Sequence, residues 1–200
     1  MKQNNIFAFI FISLVSIALS GCMSVPPVPT DKYYQLPDVT LSYNGNSLNG
    51  ILAVRRFKSD GLLNERAVLH ADKQTAHRVE AYHYHFWSDT PPRMLQENLI
   101  KALRSTTIAQ QVVSYTPQVT PTFLVVGKIR KFQQILGNKP GVIVEMELQL
   151  LSYGERKALL VKDYQAVIDT SSDTIDEAVE KLSAALGNIY NQFLADIARL

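Results

Sequence analysis

With one cysteine in 200 residues, the chain cannot close a disulfide on itself. Charge of either sign is scarce in excess: 20 basic against 18 acidic side chains give a net +2, so nothing electrostatic argues for a nucleic-acid partner. No Gly-x-Ser-x-Gly elbow, His-Glu-x-x-His pair, P-loop or dinucleotide fingerprint occurs, and nothing arranges the Ser, His and Asp residues as a triad. We therefore expect neither an enzyme nor a cofactor. His83 and His85 lie two apart on an expected strand and share a face. A metal site needs three or four convergent ligands, no cysteine is free to join them, and Asp89 lies past the strand end, so no metal is expected. One apolar run, Ile6 to Leu19, stands out, and it is shorter than the roughly 20 residues of a bilayer-spanning helix.

That run says where the protein lives. It follows Lys2 and ends in Leu19-Ser20-Gly21-Cys22, which reads as a bacterial lipobox at the boundary of a signal-peptide apolar region. Small Ser20 and Gly21 let extended backbone enter a peptidase site, and Cys22 supplies a thiol for lipid modification. Residues 1–21 read as the signal peptide and Cys22 as the lipidation site. A diacylglycerol on the thiol plus an acylated amine, such as a palmitate, exceeds the single chain that binds a membrane only marginally. An uncleaved anchor with a free thiol is the alternative. Residue 23 is Met, whereas Asp there favours retention in the inner membrane of Gram-negative bacteria. We accordingly expect the outer membrane, with the domain facing the periplasm. Residues 22–32 form the acylated Cys and a tether, where three prolines favour extended polyproline backbone of about 3.1 Å per residue. Cleavage removes only Lys2 among the charged side chains, leaving 19 basic against 18 acidic. Residues 33–200 suit one domain.

Within that domain, short strands are expected at Tyr33–Leu36, Thr40–Tyr43, Ile51–Phe57 and Ala67–Ala71, with a longer one at Arg78–Ser88. Thr90, as N-cap before Pro91, opens a helix to about Thr106 with Leu95, Leu99, Ala102 and Leu103 as its apolar stripe. Three longer strands follow: Thr122–Leu136, Val142–Leu151 and Lys157–Ile168, an antiparallel meander. In the middle one Val142, Val144, Met146, Leu148 and Leu150 alternate with Glu145, Glu147 and Gln149, one face core and one wet. A last helix starts near Thr174, with Glu177 as capping-box partner, and its apolar positions Ile175, Val179, Leu182, Leu186, Ile189, Phe193 and Ile197 recur at helical spacing. The expected fold is α+β, a mostly antiparallel sheet with two helices packed on one face.

Tyr82 to Trp87 is the one segment that invites a functional reading. Tyr82, Tyr84, Phe86 and Trp87 are candidate interface residues for lipid or for a second subunit; the bland alternative makes Trp87 and one face of the strand core. Arg55-Arg56 and Lys128, Arg130 and Lys131 could meet phosphate headgroups, although solvated strand edges explain them as well.

Tyr33-Tyr34-Gln35-Leu36 soon after a lipobox, Ile51 to Phe57, Gly61-Leu62-Leu63-Asn64-Glu65-Arg66, then Tyr84-His85-Phe86-Trp87 with Pro91-Pro92 and Met94-Leu95 opening a helix, form a succession. It resembles the ABC-type transport auxiliary lipoproteins, the PqiC-like group, over most of the mature chain. Ser88 and Asp89 depart from the small residue that many members carry after the Trp. The resemblance implies a non-enzymatic outer-membrane component of a lipid-transport system that supports membrane integrity. Such a system also holds an inner-membrane ABC transporter and an MCE-domain protein, whose ring or tube the lipoprotein receives. It also suggests a homo-oligomer, since a ring is met most economically by a ring. Two other classes stay open: a structural or assembly lipoprotein of an outer-membrane β-barrel complex, and a periplasmic lipid-binding carrier.

Overall fold

The computed structural model describes residues 28–75 and 77–200. The signal peptide 1–21, Leu19, Ser20, Gly21, the lipidation site Cys22 and the tether up to residue 27 lie outside the described residues. Residues 31–200 form one compact unit. Among the described residues no helix is long and apolar enough to cross a membrane.

The order is β1 (Lys32–Tyr34), β2 (Leu48–Val54), β3 (Ala67–Asp72), β4 (Val79–Trp87), α1 (Pro91–Arg104), β5 (Ala109–Ser114), β6 (Phe123–Leu136), β7 (Gly141–Ser152), β8 (Lys157–Asp169) and α2 (Ile175–Ile197). All eight strands belong to one sheet, α+β with its helices, and the sheet forks at β6. A strand has two hydrogen-bonding edges. The antiparallel β6, β7 and β8 meander occupies one edge of β6 along its length. The other edge is divided between two parallel partners: β2 pairs with Phe123 to Val125, and β3 with Gln134 to Leu136. One prong runs on from β2 to β5, the other from β3 through β4 to β1. Antiparallel ladders carry most of the pairing, and the short parallel ones attach the prongs. Between the prongs Phe57 and Lys58 lie along β6, with Lys58 donating to the Gly127 carbonyl at 2.8 Å and accepting from Ile129 at 2.8 Å. Gly127 leaves room for the Phe57 ring: a Cβ there would stand 2.7 Å from Cδ1.

Both helices cover one face. Alternation along β7 puts Val142, Val144, Met146, Leu148 and Leu150 wholly inside, under α2 with its Leu182, Leu186, Ile189 and Phe193, while α1 lies beside β5 and adds Leu95, Leu99 and Leu103 to the same core. The helices are tied together by Tyr190, whose hydroxyl reaches the Leu95 carbonyl at 3.4 Å. Outward-facing Glu145 and Glu147 instead meet Lys131 and Arg130.

Four local expectations change. Thr40–Tyr43 is no strand: its neighbour Pro37 offers its carbonyl to Asn98 of α1 at 3.2 Å and Ser183 of α2 at 2.9 Å, so the segment straps the helices and leaves the sheet. The β5 strand carries no alternation to mark it, because Gln110 and Gln111 interrupt the apolar pattern on this edge strand. Thr90 stands at the N-cap position without capping; its hydroxyl accepts from Arg56 Nη2 at 3.0 Å. Glu177 reaches past Thr174 to the amides of Ser171 at 2.8 Å and Ser172 at 3.0 Å, capping the turn before the helix.

Candidate functional site

At the outer edge of the second prong, three segments far apart in sequence converge. β1 lies parallel to β4, with Tyr33 opposite Phe86 and Tyr34 opposite Trp87. The Tyr33 and Phe86 rings approach to 5.8 Å between centroids, and the Arg66 guanidinium sits 5.2 Å from the Tyr33 ring. Arg66 is locked there because its Nε donates to the Trp87 carbonyl at 3.0 Å, while its own carbonyl accepts from the Trp87 amide at 2.6 Å. Tyr33, Arg66 and Phe86, together with Asp31, Leu62, Glu65, Ala67 and Ala81, line an open cavity of about 460 Å³. Aromatic faces, an aliphatic side chain, a fixed cation and the carboxylates of Asp31 and Glu65 in one depression suit a partner that presents apolar groups beside polar ones.

The aromatic strand does not alternate through this region. Ala67 pairs with Phe86 while Leu69 pairs with Ala81, so residues between Ala81 and Phe86 bulge out of register. The bulge turns Tyr82 inward over the sheet end, where its hydroxyl donates to Gln134 Oε1 at 2.9 Å and its ring lies 4.3 Å from that of His70. Burial, and to a lesser degree Asp173, raises the Tyr82 phenol above its ordinary value. His85 faces the same cluster, 2.8 Å from the Tyr34 hydroxyl, and burial followed by the nearby Lys32 lowers its imidazole, favouring the neutral ring.

The four candidate interface residues therefore separate. Tyr84 is 43% exposed and Phe86 lines the cavity, so both are available to a partner. Tyr82 serves the sheet as a hydrogen-bonded brace. Trp87 is corrected to a core residue, 1% exposed with its ring 5.2 Å from that of Phe132, because it points to the helix-covered face. Tyr33, which is 58% exposed, and Leu62 and Arg66 join the site; no periodicity marks them, since Tyr33 arrives through the β1 to β4 pairing and Arg66 through its bonds with Trp87. His83 and His85 do not come together with a third ligand among the described residues.

A family model described as the ABC-type transport auxiliary lipoprotein component matches residues 34–195. A crystal structure of a Xanthomonas campestris protein superposes with a TM-score of 0.73 at 13% identity, covering 84% of this chain and 95% of that one. Another, described only as an uncharacterized protein, gives 0.63 at 19% identity over 86% and 98%. The PelC dodecamer from Paraburkholderia phytofirmans gives 0.51 at 9% identity over 78% and 93%. At such identities the likeness is one of fold. No curated protein matches the chain.

Proposed function

We propose a docking role for this chain, which belongs to the family of ABC-type transport auxiliary lipoprotein components. Acylated at Cys22 and held at the outer membrane, the domain receives the periplasmic end of an MCE-domain assembly whose ABC transporter sits in the inner membrane, and it acts without catalysis. The observation that carries this reading is the convergence of Tyr33, Leu62, Arg66 and Phe86 on one cavity at the β1 and β4 edge, with exposed Tyr84 on the same strand as Phe86. That prong edge begins with the first strand after the proline-rich segment. We extend the proposal to self-association in a ring, for which the dodecamer of PelC is the analogue.

Crosslinking in intact cells tests it, with a photoreactive residue at Tyr84 and a control at exposed Gln111 on the other prong. An MCE-domain protein captured from position 84 and not from 111 is expected. Capture of a β-barrel assembly without an MCE protein would turn the reading to a scaffold. The carrier alternative draws on the same cavity and predicts phospholipid co-purifying with the protein.

A further inference from the structure

On the sheet face turned away from the helices a second cleft opens, of about 500 Å³, lined by Arg55, Thr120, Leu124, Leu151, Tyr153 and Arg156 among others. Its floor is apolar: Leu124 and Leu151 line it, and Leu124, like its β2 neighbour Ala53, is buried yet stands outside the helix-covered core. Its rim is cationic. Arg55 follows β2 directly, and its guanidinium lies 4.6 Å from the centre of the Tyr115 ring. Arg156 closes the turn from β7 to β8. Among the described residues no carboxylate lines the cleft and neither Arg55 nor Arg156 takes part in an ion pair, whereas Lys128, Arg130, Lys131 and Lys162 all do. Two unpaired guanidinium groups on one dry-floored cleft repel each other unless an anion joins them.

Hydroxyls complete the lining. Thr120, Ser152 and Tyr153 border the cleft, and Tyr153 and Tyr115 share a hydrogen bond of 3.2 Å. That bond, then Arg55, hold the Tyr115 phenol below its ordinary value, and the same bond holds Tyr153 above; either hydroxyl can donate. Arg156 has φ of 53°, the one positive value on a residue other than glycine among the described residues. The left-handed backbone favours glycine at this position, so an arginine there is held against local preference. Guanidinium forks and hydroxyl donors distributed around a cleft match the several oxygens of a tetrahedral anion better than the two of a flat carboxylate.

We propose that the cleft between Arg55 and Arg156 is a binding site for a phosphate group, as inorganic phosphate or as the diester of a lipid headgroup. The site lies on different strand ends from the Tyr33 and Phe86 cavity and does not depend on the docking role.

Calorimetric titration of the full chain in a non-ionic detergent tests the site, with inorganic phosphate, glycerophosphoglycerol and acetate as separate probes. Saturable binding of at least one phosphate probe, and weaker binding of acetate, is expected. Tighter binding of the diester identifies a lipid headgroup as the source, and tighter inorganic phosphate identifies the free ion. Arg156→Gly should lower the affinity about 10- to 100-fold while leaving the thermal midpoint unchanged or higher, because glycine suits the backbone and only the guanidinium is lost. Arg55→Lys, which keeps the charge and loses the fork, should lower it less. Three results would overturn the proposal: no saturable heat with either phosphate probe at millimolar concentration, acetate binding as tightly as phosphate, or undiminished affinity in Arg156→Gly.

Discussion

The two outermost aromatic residues of the Tyr84 to Trp87 segment should behave as opposites when truncated. Trp87 is 1% exposed and packs against Phe132, itself 1% exposed, in the helix-covered core. Trp87→Ala removes an indole from a site that the forked sheet and two helices hold open. The lost transfer free energy and the residual cavity together cost about 3–5 kcal/mol, which for a domain of this size lowers the melting midpoint by roughly 6–20 °C. Tyr84 is 43% exposed, and its ring neighbour is exposed His83 at 6.4 Å, so Tyr84→Ala should stay within about 0.5 kcal/mol of the parent. Urea unfolding followed by far-ultraviolet circular dichroism measures both, because Trp87 is the only tryptophan and fluorescence disappears with it. Trp87→Phe, which retains a ring on Phe132, should fall between the two. A cost below about 1 kcal/mol for Trp87→Ala, or an equal cost for Tyr84→Ala, would refute the division of this strand into core and surface.

Glu177 accepts from the amides and hydroxyls of Ser171 and Ser172, and those bonds lower its carboxyl from 4.5 to about 2. The depressed value means that its stabilisation is complete above the unfolded carboxyl range and lost as pH falls from about 4.5 through about 2. Glu177→Gln should therefore weaken the protein at pH 7 and converge with the parent near pH 2 in denaturant titrations. Gly127→Ala puts a methyl against the buried Phe57 ring and should cost about 1–3 kcal/mol in the same assay. Asp196, in the last turn of α2, accepts from Lys162 at 2.7 Å and from Tyr164 at 2.8 Å; Asp196→Ala should cost about 1–3 kcal/mol, mostly through the buried Tyr164 hydroxyl left without its acceptor.

The meander and the helices were legible because their periodicities are long and one-sided. Val142 to Leu150 alternate into the core as read, and the stripes from Leu95 to Leu103 and from Val179 to Ile197 are buried. The parallel prongs were not legible, since alternation tells which residues share a face and is silent about which strand lies alongside. Thr40–Tyr43 has strand-like composition, yet the Pro37 carbonyl is taken by two helices. The candidate site was half visible. Tyr84 and Phe86 stand in an aromatic run, whereas Tyr33 acquires its role through the β1 to β4 pairing and Arg66 through its bonds with Trp87, and the bulge after Ala81 separates Tyr82 from the pattern that its neighbours suggest.

The fork at β6 also dictates an order of assembly. A chain emerges N-terminus first, so β2, with buried Leu52, Ala53 and Val54, is made long before Phe123 to Val125, the backbone it will pair with. β3 likewise waits for Gln134 to Leu136. The later β6, β7 and β8 close by two local hairpins, fast steps that need no early partner. In the first half β3 and β4 can close their own hairpin early, whereas apolar β2 has no local partner, and it is β2 that is most exposed to mispairing while it waits for β5 and β6.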